Sequence, residues 1–527
     1  MRVTGLRAIL GVQWRTRRRG TLIWTIALTA MLVGTAGSIA ALYPTPESIH
    51  EYAAAATAGD ALVAINGRVE GIDSLGGIIA DEFGFFAAFL LPLLGISLVT
   101  LTTRSEEEAG RLEALLAGRV ARQVPVLAGL TLTSAAIVVS TVAFAIGLTA
   151  FGVPATRSVL YAASLGTLAF VFAGLAALLA QVTLHSRGVY TWGLLILGVA
   201  YVLRGVGDVT STWVTWLSPL GWAEKAAAFG DMRWWTLLIP LGVGVVLAAL
   251  AVFVAGRRDL GSALIRGGAG SPRASTWLRS PLGLAAAIHL PAMLGWLAGA
   301  VILTGTMGSL AQQFINAVLG NAAMAEAFGM SGAQPVDAMV ALTQLYVAVI
   351  ATGYAVQAVG SLRGEETAGR LEMRLSGTLP RVGWLAAHGL VIVTGLVVIV
   401  LVSSIVLAAG MAWSTGSALD LGRVLGAGAA YLPAALLVAG LALALFGLWP
   451  RAFPVAWAAV AFVASIALLG AALKLPRWVL DLSPTTHVGN PPLGTVEALP
   501  LVVLAAIAAA LGVVAAVAFR RRDLPQT

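Results

Sequence analysis

Residues 83–113 read FGFFAAFLLPLLGISLVTLTTRSEEEAGRLE: 21 residues without a formal charge, then ten of which six are charged. An uncharged apolar run of that length is what a helix needs to cross the hydrocarbon of a bilayer, and the charged segment marks its emergence into water. The alternation continues in both directions. Stretches free of Asp, Glu, Lys and Arg cover residues 21–46, 83–103, 123–156, 158–186, 188–203 and 234–256, then 290–325, 338–362, 382–419, 424–450, 452–473 and 498–519. They predict twelve spans. Residues 188–203 form a short stretch of 16 before Arg204, and an arginine at a helix end can snorkel to the interface.

Composition agrees. Of 527 residues, 59% are hydrophobic and 11% charged, against roughly 25% charged in a soluble domain; the mean hydropathy is +0.92. A cytosolic globular enzyme is excluded, because so much apolar surface has to face lipid. With no cysteine, disulfides, thiolate metal sites and cysteine nucleophiles are excluded too.

The net charge of +8 comes almost wholly from arginine. On a soluble chain it would suggest nucleic acid; here it reports orientation. With the N-terminus inside, the inner segments hold 24 basic and 9 acidic residues and the outer segments 8 and 15. That positive-inside bias predicts cytoplasmic N- and C-termini. The excess of arginine over lysine and the abundance of alanine fit a GC-rich bacterium, hence a multi-pass protein of a bacterial cell membrane. Residues 2–15 set Leu6, Leu10 and Trp14 at helical spacing among Arg2, Arg7 and Arg15, which predicts an interfacial helix on the inner leaflet; a disordered basic tail is the alternative.

The chain also repeats itself. Gly34, Thr35, Gly37 and Ser38 return as Gly305, Thr306, Gly308 and Ser309. Arg104 to Glu113 returns as Arg363 to Glu372, and Trp213, Leu217, Ser218 and Pro219 as Trp478, Leu482, Ser483 and Pro484. Arg257 to Leu260 returns as Arg521 to Leu524. The offsets, 271, 259, 265 and 264, change only between anchors. The expected fold is therefore an all-α polytopic membrane protein of two six-span repeats, residues 1–265 and 266–527. Six is even, so the repeats are parallel and predict a pseudo-two-fold axis along the membrane normal with a central cavity.

Two cytoplasmic loops, about 104–119 and 363–379, carry the recurring charges and read as helices. Glu107 and Arg111, like Glu366 and Arg370, stand i, i+4 with the acid first, the favourable order for a helix pair. Leu112, Leu115 and Leu116 give the first loop an apolar side, as Leu371 and Leu375 do the second. A single such loop would read as an anchoring helix; recurrence in both halves favours a functional one.

The order Arg, two glutamates, Gly, Glu and Leu resembles the loop after the second span of ABC type-2 exporter permeases. The whole chain, twice over, is similar to the fused, double-length members of that family, the exporters of polyketide antibiotics or tetronasin-type permeases. Arg111 and Arg370 depart from the family's usual Thr. The resemblance implies that the two loops are coupling helices that dock on a nucleotide-binding subunit. Glu106, Glu107, Glu113, Glu365, Glu366 and Glu372 would then be acidic contacts, and Gly110 and Gly369 would permit close approach. A phosphate-binding loop needs Gly-Lys-Ser/Thr, and neither Lys225 nor Lys474 lies in one. ATP and Mg are thus expected on two copies of a separate cytoplasmic ABC ATPase, with no cofactor in this chain and a hydrophobic small molecule as cargo.

Gly34, Gly37, Ser38, Gly305, Gly308 and Ser309 form small faces on the first and seventh spans that either line the path or pack helices. Gln312, Gln313 and Asn316 would contact substrate or mark the outer end of the seventh span. Trp213, Trp216, Trp222, Trp234 and Trp235 read as an interfacial belt or an exit gate. His289 and His388 fall near inner ends, Asp337 and Asp420 near outer, hydrated ones. No metal cluster and no nucleophile–base pair stands out. Two other classes remain. An ion-coupled secondary transporter would need intramembrane carboxylates, against which the charge-free stretches argue. A membrane enzyme would use acids such as Asp60, Asp73, Asp81 and Glu82, and would leave the duplication unexplained.

Overall fold

The computed structural model describes residues 5–56, 63, 66–116, 120–264, 275–320, 334–377, 379–417, 420–469 and 476–523. Among them there is no strand, and twelve helices are long and apolar enough to cross a membrane. The chain divides into two compact units, Met1–Gly270 and Ser271–Thr527.

In the first unit the spans are α1 (Leu6–Leu42), α3 (Leu75–Thr102), α6 (Val124–Ala150), α7 (Ala155–Val182), α8 (Ser186–Thr210) and α10 (Leu238–Arg257). A short helix α2 (Pro46–Ala56) follows the first span, α4 (Arg104–Glu108) and α5 (Arg111–Leu116) form the charged loop, and α9 (Pro219–Glu224) lies in the hairpin before the last span. The second unit carries α11 (Pro281–Ser309), α12 (Ala311–Gly320), α13 (Pro335–Thr367), α14 (Arg370–Leu375) and α15 (Arg381–Thr415). It continues with α16 (Leu421–Ala429), α17 (Leu432–Leu448), α18 (Pro454–Leu469), α19 (Arg477–Leu480) and α20 (Ala498–Arg521).

Helix starts follow local chemistry. The Ser74 hydroxyl accepts the Gly77 amide to begin α3, Ser280 does the same for Gly283 at α11, and Asp420 caps α16 through Arg423. A side-chain oxygen there satisfies an amide that has no partner within the helix.

The same packing recurs in each unit. α1 lies along α6, α3 along α7 and α7 along α10; likewise α11 lies along α15, α13 along α17 and α17 along α20. In lipid, where burial of apolar area gives little drive, small residues set such contacts by letting backbones approach. A Cβ on Gly174 of α7 would stand 2.8 Å from the Gly244 oxygen of α10, and one on Gly440 of α17 would stand 2.9 Å from the Ala508 oxygen of α20.

Several expectations change. α1 runs unbroken for 37 residues, so the described part of the basic N-terminal stretch is the first turns of the span helix rather than a helix of its own. Gln13 donates to the Thr102 and Pro125 oxygens, which fixes this end of α1 against the ends of α3 and α6. The fifth span does not stop at Arg204: α8 continues to Thr210, with Arg204 and Asp208 both buried. Arg204 therefore turns inward instead of snorkelling. Asp337 is buried and bound by Arg423 at 2.8 Å rather than hydrated.

Candidate functional site

The charged loop of the first unit is not one helix. α4 ends at Glu108, Gly110 takes φ +69°, and α5 starts at Arg111. In the second unit α13 runs on to Thr367, Gly369 takes φ +70°, and α14 starts at Arg370. A Cβ on Gly110 would meet nothing within 4 Å. That glycine supplies the left-handed backbone conformation, not a close approach within its unit.

This break moves the ion pairs by one residue. Arg111 bonds Glu106 at 2.6 Å and Arg370 bonds Glu365 at 2.8 Å, instead of the i, i+4 partners Glu107 and Glu366. Hydrogen bonds from Arg111 to Glu106 hold the Arg111 guanidinium above its ordinary range. Glu106 also binds Arg17 of α1, and Glu365 binds Arg374 at 2.9 Å.

The displaced acids find a different partner, again the same in both units. Glu107 accepts Arg258 at 2.6 Å, and Glu366 accepts Arg522 at 2.8 Å. Each arginine directly follows the last span of its unit. Glu107 also accepts the Gly261 amide at 2.8 Å and pairs with Arg104 at 2.8 Å. Arg104, 1% exposed, donates in turn to the Leu184 and Ser262 oxygens. Four of the six expected contact acids, Glu106, Glu107, Glu365 and Glu366, are thus enclosed by arginines of their own unit. Glu113 and Glu372 are exposed, and Met373 beside the latter is 78% exposed.

The small-residue faces diverge. A Cβ on Gly308 would stand 2.8 Å from the Leu407 oxygen and 3.0 Å from Gly410, where α11 meets α15. One on Gly37 would stand 2.7 Å from the Phe151 ring, whereas Gly34 has open space and Gly305 only Val406 at 3.6 Å. Ser38 and Ser309 bond back to Gly34 and Thr306 in their own helices. Gln312 donates to Asn316 at 2.9 Å; the side chain of Gln313 lies outside the described residues.

Trp213, Trp216, Trp234 and Trp235 are exposed, Trp216 stacks on Trp235, and Trp222 donates to the Trp216 oxygen. His289 and His388 are buried against each other at 2.8 Å. Of the acids weighed for an enzyme, Asp81 and Glu82 accept hydroxyls from Tyr52 and Tyr43 at 2.7 and 2.8 Å, and Asp60 lies outside the described residues. Among the described residues no group of three potential metal ligands occurs.

Sequence reasoning missed one cluster. In the first unit Arg204 lies 3.2 Å from Glu224 and 3.8 Å from Asp208, which also accepts the Thr215 hydroxyl at 3.0 Å. Burial pushes the Glu224 carboxyl well above the usual carboxylate range, and Asp208 adds to the shift against the opposing pull of Arg204. The i, i+4 spacing of Arg204 and Asp208 was the available signal; Glu224 comes from the following hairpin, too far along the chain to be paired by inspection.

Twelve apolar spans, with paired charges gathered in short loops at their ends, define a polytopic α-helical membrane protein. The family model described as "Multidrug efflux system permease Rv1217c, C-terminal domain" matches the chain at residues 6–254 and again at 278–520. The chain is also 33% identical over 526 residues, 99% of its own length and 95% of the relative's, to the multidrug efflux system permease protein Rv1217c of Mycobacterium tuberculosis. It belongs to this family of multidrug efflux permeases.

Proposed function

We propose that the chain is the membrane permease of an ATP-driven exporter, with both termini cytoplasmic, moving hydrophobic or amphipathic compounds such as antibiotics outward. Its two halves are copies of one six-span unit. The loops at 104–116 and 363–375 are coupling elements, each docking one copy of a separate ABC ATPase that holds ATP and Mg.

The observation that carries this reading is the recurrence of one loop geometry in both units: a left-handed glycine, an acid locked to the arginine one residue past it, and the next acid locked to the arginine after the last span. Helix packing alone does not require the same two ion pairs twice. A loop braced in this way can pass a push from a partner to two spans without deforming. The double match of one family model supports the duplication, and Glu113 and Glu372 remain exposed to meet basic groups on a partner, where charge gives register and specificity.

Co-purification with the cytoplasmic ABC ATPases of its own cell tests it. ATP hydrolysis should depend on the complex, and Glu113→Lys with Glu372→Lys should weaken association while leaving the permease folded. Transport driven by an ion gradient with no associated ATPase would favour the second reading, a secondary transporter, for which the buried Asp208 and the partly buried Glu224 are the specific observation.

A further inference from the structure

A cavity of about 60 Å³ opens in the first unit beside the Arg204 cluster. Its walls are apolar and aromatic, with Phe85 from α3, Tyr161 from α7 and Phe229 from the hairpin after α9. The Tyr161 and Phe229 rings lie 5.1 Å apart. Polar groups interrupt these walls, among them Asn66, Ser164, Arg68 and Glu70. Arg204 and Glu224 line the cavity, while Asp208 stands behind them, 2% exposed. Glu224 gives one oxygen to Arg204, its carboxyl also meets that of Asp208, its other oxygen is buried and accepts no N–H or hydroxyl, and its side chain keeps 24% of its surface open. Tyr161 is 8% exposed, and its hydroxyl has no hydrogen-bond partner. Gly84 faces that buried hydroxyl: a Cβ there would come within 3.2 Å of it.

Among the described residues, charge is unbalanced at this point once Glu224 ionises. One guanidinium, Arg204, serves two carboxyl groups, Asp208 and Glu224. Around them Glu70 is paired to Arg233, while Arg68 at the cavity edge is exposed and Lys225 follows Glu224 in the chain. Solvated charges are screened and compensate a buried group poorly. A buried carboxylate needs a partner, and what fits here is a positive charge that also donates hydrogen bonds. Aromatic faces around it favour a cation as well.

We propose that this cavity binds a protonated alkyl amine, its N–H groups donating to the Glu224 oxygen that lacks a donor and to the Tyr161 hydroxyl, with Phe85 and Phe229 against the adjoining carbons. The volume accommodates the ammonium group and a few carbons, not a whole drug, so the remainder of a larger ligand leaves through the mouth. In the absence of the amine a proton occupies Glu224, and binding exchanges one cation for the other. If the chain exports amphipathic compounds as proposed above, this is a subsite for those with a basic amine; binding itself needs no ATPase.

Ligand-observed NMR saturation transfer on the full chain in nanodiscs, without any partner, tests it with n-butylamine, n-butanol and tetramethylammonium. n-Butylammonium should bind at least about fivefold more tightly than n-butanol, the scale of one charge-assisted hydrogen bond. It should also exceed tetramethylammonium, which has no N–H. Glu224→Gln should erase the preference for amine over alcohol, and Tyr161→Phe, which conserves shape, should weaken the amine about threefold, as expected for one neutral hydrogen bond. Equal binding of amine and alcohol by the wild-type chain overturns the proposal whether or not any variant folds. So does a Glu224→Gln chain that keeps the preference. Loss of ATP-driven export with amine binding retained would count against the exporter reading alone.

Discussion

Arg258 Nη2 lies 2.6 Å from Glu107 Oε2, with both side chains 8% exposed. This contact joins the residue just after the last span of the first unit to the loop after its second span, 151 positions away. Arg104 on the other side of Glu107 leaves the acid between two guanidinium groups. Removing one member of a buried pair strands the other charge, which costs far more than the pair itself contributes.

Glu107→Ala should therefore destabilise the purified chain by about 3–5 kcal/mol. Glu366→Ala should act in the same direction through Arg522. The double variant Glu107→Ala, Arg258→Ala should lose less than the two single variants added together, because no charge remains stranded from that pair. Thermal unfolding in a fixed detergent measures all of these; additive losses would show that the contact is not energetically coupled.

Gly110→Ala and Gly369→Ala should each cost about 1–2 kcal/mol, the penalty of a Cβ in the left-handed region. Asn, which tolerates that region, should cost less. Since nothing lies within 4 Å of a Cβ on Gly110, a loss there comes from backbone conformation and not from a clash. Equal unfolding temperatures for Ala, Asn and wild type would remove the need for the left-handed turn.

Gly308→Ala should destabilise by about 1–3 kcal/mol through overpacking, because the added carbon meets the Leu407 oxygen at 2.8 Å. Gly34→Ala, which matches Gly305 in the sequence repeat and lies one helical turn from the Gly308 counterpart Gly37, meets open space. It should be neutral, or stabilising by up to about 1 kcal/mol on helix propensity. Comparing the two unfolding temperatures separates a packing role from mere smallness.

Glu224 makes stability depend on pH in the less usual direction. Its carboxyl is raised in the folded chain, so above the ordinary glutamate range the folded state holds a proton that the unfolded state has released. Stability contributed by the protonated form is full below the unfolded value and is lost as pH rises through the raised one. Glu224→Gln should remove that decline. Unfolding temperatures of both chains against pH, from mildly acidic to mildly alkaline, should converge at the acidic end and separate at the alkaline end.

Much of the fold could be read from charge spacing. Each of the twelve uncharged stretches holds a span because hydrocarbon admits few unpaired charges. Their ends were less legible. α8 and α13 run past Arg204, Asp208 and Asp337 because partners inside the protein, Glu224, Thr215 and Arg423, take those charges out of water. The loops were visible through their repetition, but Glu107 was matched to Arg111 on the assumption of a continuous helix, which Gly110 interrupts. The link from Glu107 to Arg258 could have been suspected, since both residues sit in repeated motifs, yet no local spacing joins them. Glu224 carried no such mark, because it occurs in one half only.

At the offset of 265 that aligns Trp213 with Trp478, the residues matching Arg204, Asp208 and Glu224 are Leu469, Leu473 and Gly489. Two identical chains made from one gene would carry every substitution twice, so a charge acquired on one side would appear on the other. A fused gene lets selection alter one half while the other keeps its original residues. A single chain carrying both halves can therefore hold a charge cluster on one side alone, which two identical half-length chains could not do.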